Sequence, residues 1–103
     1  FKLNLISKLL LSAQTEYHNG VSEISYDSIV CLENSYSSII RANSLFLDID
    51  DLDFQYTASI SNQFTDLLFG MDNGIPVEMF DILMDNLIHD VDDMHSIVVL
   101  NSV

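Results

Sequence analysis

The sequence predicts an all-α protein, built as a compact four-helix bundle or an orthogonal helical array. Three observations predict it. Apolar residues recur at steps of three and four in four separate segments, the spacing that puts them on one face of a helix. Glycine and proline are scarce, with three Gly and one Pro, which suits a few long elements and short connections rather than a many-turned β fold. The chain has 103 residues, 49% of them hydrophobic, enough for one domain over 1–103 with a core that needs no metal or disulfide staple.

The first helix is expected from about Leu3 to Tyr17. Leu3, Ile6, Leu10, Ala13 and Tyr17 form its stripe and Leu9 widens it. His18, Asn19 and Gly20 end it, since Asn and Gly accept the left-handed backbone that closes a helix. A second helix is expected to open near Ser25 or Asp27, either of which can cap free backbone N–H groups. Its apolar positions are Ile29, Leu32, Tyr36, Ile39, Ile40 and Phe46. The cluster Asp48, Asp50, Asp51 and Asp53 reads as a loop, with Asp53 capping the third helix. That helix carries Tyr56, Ile60, Phe64, Leu67 and Met71 and ends at Gly70, Asn73 and Gly74. Pro76 and Glu78 suit the first turn of a fourth helix, whose buried face is Phe80, Leu83, Leu87, Val91 and Met94. Residues 96–103 extend the helix, form a short strand or pack as a tail.

Charge narrows the function. There are 16 Asp plus Glu against 3 Lys plus Arg, a net charge of −13. Lys2, Lys8 and Arg41 all lie in the first 41 residues. Beyond them stand Asp48, Asp50, Asp51, Asp53, Asp66, Asp72, Glu78, Asp81, Asp85, Asp90, Asp92 and Asp93, with no Lys or Arg. Such a segment repels phosphate backbones, so direct nucleic-acid binding is disfavoured. It attracts basic proteins and speeds their encounter. Solubility alone accounts for a charged surface, but mixed signs serve solubility without the cost of like charges at i, i+4, as at Asp81 and Asp85.

Catalytic and cofactor motifs are absent. No P-loop, G-x-S-x-G elbow or G-x-x-G phosphate loop occurs. Asp92 and His95 at i, i+3, and Asp85 and His89 at i, i+4, are incomplete metal-ligand pairs, so neither metal nor cofactor is expected. Cys31 stands alone, which excludes an intrachain disulfide, fits a reducing compartment such as the cytoplasm, and marks a small core residue or an inert surface one. The Leu-rich start, FKLNLISKLLL, is interrupted by Asn4 and Lys8 and no small-x-small cleavage site follows, so neither a signal peptide nor a membrane span is expected. The Phe1 start implies residues upstream, an initiator Met among them.

Three resemblances bear on function. Asp27-Ser28-Ile29 resembles the attachment tripeptide of acyl carrier proteins, but the segment VCLENSYSSII that follows lacks their acidic recognition helix. MFDILMDNLIHDVDDM, from Met79 to Met94, resembles a segment of helical immunity proteins that neutralise nuclease toxins, especially those similar to the colicin D immunity protein; Ile82, Leu83, Asp85, Leu87, Val91 and Asp92 carry the likeness, and Met84 and Asn86 depart from it. LISKLLLSAQTEY loosely resembles their first helix. Met71-Asp72-Asn73-Gly74-Ile75-Pro76 with Phe80-Asp81-Ile82-Leu83 is similar to an acidic phrase of phage anti-restriction proteins that mimic DNA. The last two imply a non-catalytic inhibitor whose acidic surface fills the basic cleft of a nuclease toxin or another nucleic-acid-processing enzyme.

The residues expected to contact such a partner are Asp48, Asp50, Asp51 and Asp53, with Phe54 as an aromatic anchor beside them, and Asp81, Asp85 and Asp92 along one side of the fourth helix. Tyr56 is an alternative anchor or a core residue. A different class stays open: a helical adaptor or subunit of a larger assembly, consistent with a mean hydropathy of +0.27.

Overall fold

The computed structural model describes residues 3–43 and 51–101, with the side chains of 3–42 and 56–97. Four helices follow in order: α1 (Leu3–His18), α2 (Ser22–Asn43), α3 (Asp51–Asp72) and α4 (Val77–Asn101). No strand occurs among the described residues. Each helix packs on two neighbours, so that α1, α2, α3 and α4 close a ring in which α4 lies beside α1. Pairing is antiparallel throughout. Ala13 meets Ser25 across α1 and α2, Tyr36 meets Thr57 across α2 and α3, Gln63 meets Asp90 across α3 and α4, and His18 meets Asp81 across α1 and α4. The molecule measures 42 × 21 × 18 Å, the proportions of a bundle rather than an orthogonal array.

The same backbone device closes α1 and α3. At the end of α1 the Val21 N–H donates to the Glu16 carbonyl and the Gly20 N–H to that of Tyr17, with Gly20 at φ +83°. At the end of α3 the Ile75 N–H donates to Gly70 and the Gly74 N–H to Met71, with Gly74 at φ +64°. Each pair of bonds satisfies carbonyls that the helix leaves free, and each needs a left-handed residue that glycine supplies without a Cβ clash. Ile75 folds back over Gly70, where a Cβ would stand 2.9 Å from Ile75 Cδ1. Pro76 lies just before α4, and its carbonyl accepts from Met79 and Phe80.

Two of the expected helix starts move. α2 begins at Ser22, and its first turn closes with the Ser25 N–H on the Val21 carbonyl. The Ser25 hydroxyl is therefore no cap. It is buried and donates to the Ala13 carbonyl at 2.7 Å, clamping α2 onto α1 at a position where alanine lets the backbones approach. α3 begins at Asp51, so Asp51 and Asp53 belong to its first turn and Asp53 does not precede it. Negative charge there is favoured by the helix dipole, which offsets the poor intrinsic propensity of Asp. At the other end, α4 continues through 96–101, which resolves that segment as helix.

The core follows the expected stripes, with Tyr17, Ile39, Ile40, Tyr56 and Met71 only partly buried at its margin and Leu68 added. Leu3, Ile6, Leu10 and Ala13 from α1, Ile29, Leu32 and Tyr36 from α2, Ile60, Phe64, Leu67 and Leu68 from α3, and Phe80, Leu87, Val91 and Met94 from α4 are buried. Met84 is fully buried as well, whereas Leu83 only flanks the core. Leu9 is 44% exposed and does not widen the α1 stripe inward. Phe46 lies outside the described residues. Each full burial of such a side chain stabilises the bundle by roughly 1.5–3 kcal/mol.

The packing sets a contrast between Phe64 and Leu9. Phe64→Ala should lower unfolding free energy in urea by about 3–5 kcal/mol, through lost transfer energy and the cavity left behind. Leu9→Ala should cost less than about 1 kcal/mol, since no core space opens. Gly74→Ala should cost about 1 kcal/mol, because Ala is strained at positive φ.

Candidate protein-binding surface

The α1–α4 seam holds the first group of carboxylates. Asp81 lies one turn into α4, where α1 brings its last two turns across. His18 Nε2 meets Asp81 Oδ1 at 2.6 Å, and Gln14 Nε2 donates to both Asp81 Oδ1 and Asp85 Oδ1 at 3.1 Å. The like charges of Asp81 and Asp85 thus share one neutral donor from α1. The hydrogen bond from His18, with help from Gln14, holds the Asp81 carboxyl below its ordinary range. Beside them Tyr17 stacks on Phe80 with ring centroids 3.9 Å apart, fixing the helices at this height.

A second group lies on the α3–α4 seam. The Tyr56 hydroxyl donates to Asp90 and Asp93, both at 3.3 Å, and Gln63 Nε2 donates to the other oxygen of Asp90. His89 Nδ1 stands 3.5 Å from both Asp90 and Asp93. A shallow cavity of about 210 Å³ adjoins Asp90, lined by Gln63, Asp66, Leu83 and Asn86. Gln63 Oε1 is buried there without a hydrogen-bond partner among the described residues. Burial, and then the charges of Asp90 and Asp93, push the Tyr56 phenol well above its ordinary range. Near the turns, the Tyr26 hydroxyl donates to Asp72 at 3.2 Å.

The residues singled out from the sequence fare differently. Asp85 and Asp92 are exposed, while Asp81 is only one-third exposed and engaged with α1. Asp48 and Asp50 lie outside the described residues. Asp51, Asp53 and Phe54 are in the first turn of α3, and their side chains lie outside the description. Tyr56 is a half-buried donor to carboxylates at the edge of the core. Sequence reasoning passed over Gln14, His18, Gln63 and Asp90. The signal for them was available only as spacing on helix faces, because their partners are distant in the chain.

The incomplete ligand pairs noted in the sequence do not come together: among the described residues neither Asp85 with His89 nor Asp92 with His95 lies at ion-pair distance. His89, Asp90 and Asp93 instead offer ligand atoms within 4.8 Å of one another, on an open surface where Tyr56 and Gln63 already hold the carboxylates. Cys31 is exposed, which settles its two readings in favour of the surface. Ser28 lies in the second turn of α2, half-buried, with its helix already begun six residues earlier at Ser22. No helix among the described residues is long and apolar enough to cross a membrane.

The arrangement suits contact with a cationic surface. Asp66, Asp72, Glu78, Asp85, Asp92 and Asp93 are exposed on α3 and α4, which carry no Lys or Arg. Comparison with protein-family models, curated proteins and solved structures finds no match.

Two pH effects follow. Because the Asp81 carboxyl is depressed in the folded state, its contribution is present above the ordinary carboxylate range and lost as pH falls below about 4. The stability gap between the native chain and Asp81→Asn should therefore narrow in acid, as measured by urea unfolding across that range. At the alkaline end the signs reverse. Burial pushes the Tyr36 phenol up to about 12, so its contribution is present below the ordinary tyrosine range and lost as pH rises toward that value. Tyr36→Phe should move the alkaline unfolding transition upward, and a phenolate absorbance titration should lose one late-ionising group.

Proposed function

We propose that this chain is a non-catalytic inhibitor, whose acidic α3–α4 surface occupies the basic nucleic-acid-binding or active-site cleft of a protein partner, in the manner of toxin-immunity proteins. The observation that carries the reading is the one-signed surface of two adjacent helices. Carboxylates on α3 and α4 are held by tyrosine, glutamine and histidine, with no lysine or arginine on either helix, and those left exposed keep their charge available to an incoming Lys or Arg. Close charge pairs at such interfaces contribute about 1.5–7 kcal/mol each. The acidic first turn of α3, with Asp51, Asp53 and Phe54, adjoins Asp48 and Asp50 in sequence and supplies a second contact region with an aromatic anchor. A nuclease toxin of the same cell fits best as partner, since its cleft is shaped for phosphate and is basic for that reason. The cytoplasm is the compartment in which such a complex would act.

Asp66→Asn, Asp85→Asn and Asp92→Asn together test the surface while leaving the Asp81 and Asp90 contacts intact. The triple variant should fold as before and associate with the basic partner at least tenfold more slowly at low salt, with a flatter salt dependence, in stopped-flow or surface-resonance kinetics. Neutralising Asp50, Asp51 and Asp53 should act in the same direction. Unchanged on-rates at low salt for both variants would mean that the acidic surface serves solubility alone.

A further inference from the structure

The opposite side of the bundle has a different character. Two grooves run along the α1–α2 pair and meet at Leu9 and Leu32, with volumes of about 420 and 410 Å³. Their apolar surface comes from Leu5, Leu9, Ile24, Leu32 and Ile39, and three of these are large side chains near half exposure: Leu5 at 48%, Leu9 at 44% and Ile24 at 55%. From Leu5 to Glu16 the joined groove follows α1 for roughly 16 Å, about three helical turns. The end near the α1–α2 turn is acidic, with Glu16 and Asp27. Glu16 Oε2 is buried and has no hydrogen-bond partner among the described residues. No Lys or Arg lines either groove.

We propose that the α1–α2 groove is the docking site for an amphipathic helix of a protein partner, with an apolar stripe lying on Leu5, Leu9 and Leu32 and a lysine or arginine reaching Glu16 and Asp27. The form of the occupant follows from the walls. A cleft between two antiparallel helices accepts the ridges of a third, and a helix satisfies its own backbone over an apolar floor where an extended peptide would leave N–H and C=O groups unpaired. The charge follows from Glu16 and Asp27, two carboxylates that line the groove with no Lys or Arg beside them. A second copy of this chain is disfavoured as occupant, because two molecules each at −13 repel. An anionic membrane is disfavoured for the same reason. The inference deepens the proposed role as a binder of basic proteins, and it rests on that reading for the partner's charge.

The test uses two fluorescein-labelled helical peptides of fifteen residues, with leucines at i, i+4, i+7 and i+11 and either lysine or glutamate at the flanking positions. Cys31, the one cysteine of the chain, lines the acidic groove and reports occupancy through its rate of alkylation by iodoacetamide. The lysine peptide should bind in fluorescence anisotropy and slow alkylation at least tenfold. Leu9→Gln with Ile24→Gln, checked for helicity, should weaken binding at least tenfold, and Glu16→Gln with Asp27→Asn should remove the preference for lysine over glutamate. The Asp66, Asp85 and Asp92 triple variant on α3 and α4, none of which lines the groove, should leave lysine-peptide binding within twofold, whichever way the partner kinetics turn out. The proposal is overturned if neither peptide binds, if the glutamate peptide binds as tightly, or if Cys31 stays unprotected at saturation. It is likewise overturned if the triple variant weakens the peptide as much as the groove variant does, or if the native chain dimerises and Leu9→Gln makes it monomeric.

Discussion

A carboxylate held at a helix seam needs a donor, and α3 and α4 contain no lysine or arginine to supply one. His18 meets it at Asp81, and neutral groups supply the rest. Tyr56 spans Asp90 and Asp93, Gln63 reaches the same Asp90, Gln14 spans Asp81 and Asp85, and Tyr26 reaches Asp72. A hydrogen bond from a neutral donor keeps an ionised carboxylate in place without cancelling its charge, which an ion pair would do. The bundle is thereby tied on three seams while its negative field survives. Burial, and then the neighbouring carboxylates, raise the Tyr56 and Tyr26 phenols above their ordinary range.

The apolar core makes this arrangement possible by fixing the heights at which the seams meet. Ser25 clamps α2 to α1 at Ala13, and the Tyr17–Phe80 stack sets α1 against α4. The glycine closures at Gly20 and Gly74 turn the chain in three or four residues, so both hairpins leave the same end of the bundle. Tyr17 carries its hydroxyl to the Ile75 carbonyl there, tying one turn to the other. Once the two hairpins are in register, Gln14 falls between Asp81 and Asp85, and Gln63 falls on Asp90.

Both helix pairs expose carboxylates and apolar side chains, Glu23 and Asp27 on α2 and Phe69, Met79 and Ile82 on α3 and α4 among them, and the apolar grooves lie on the α1–α2 pair. The exposed carboxylates act at a distance and fade with salt. The leucine and isoleucine side chains over α1 and α2 act only in contact. Long-range attraction and short-range burial are complementary parts of association with a basic amphipathic partner.

Local pattern determined the helices. A period near 3.6 with Asn-Gly at two ends is a statement about neighbours in the chain, so α1, most of α3 and the core stripes were legible from the residues, as was the one-signed charge of the second half. The same logic misplaced the start of α2, because Ser25 carries ordinary capping chemistry and only α1 at Ala13 diverts its hydroxyl. It took Leu9 and Leu83 as buried and passed over Met84, because burial beside a stripe depends on which neighbours flank each helix. Choosing a bundle over an orthogonal array also depended on tertiary packing, since an amphipathic stripe records that a face is buried but not the angle at which it meets its partner. The donors of the candidate surface were beyond reach for the same reason: Gln14 and Asp81 are 67 residues apart, and nothing in either residue names the other until the α1–α4 contact brings them together.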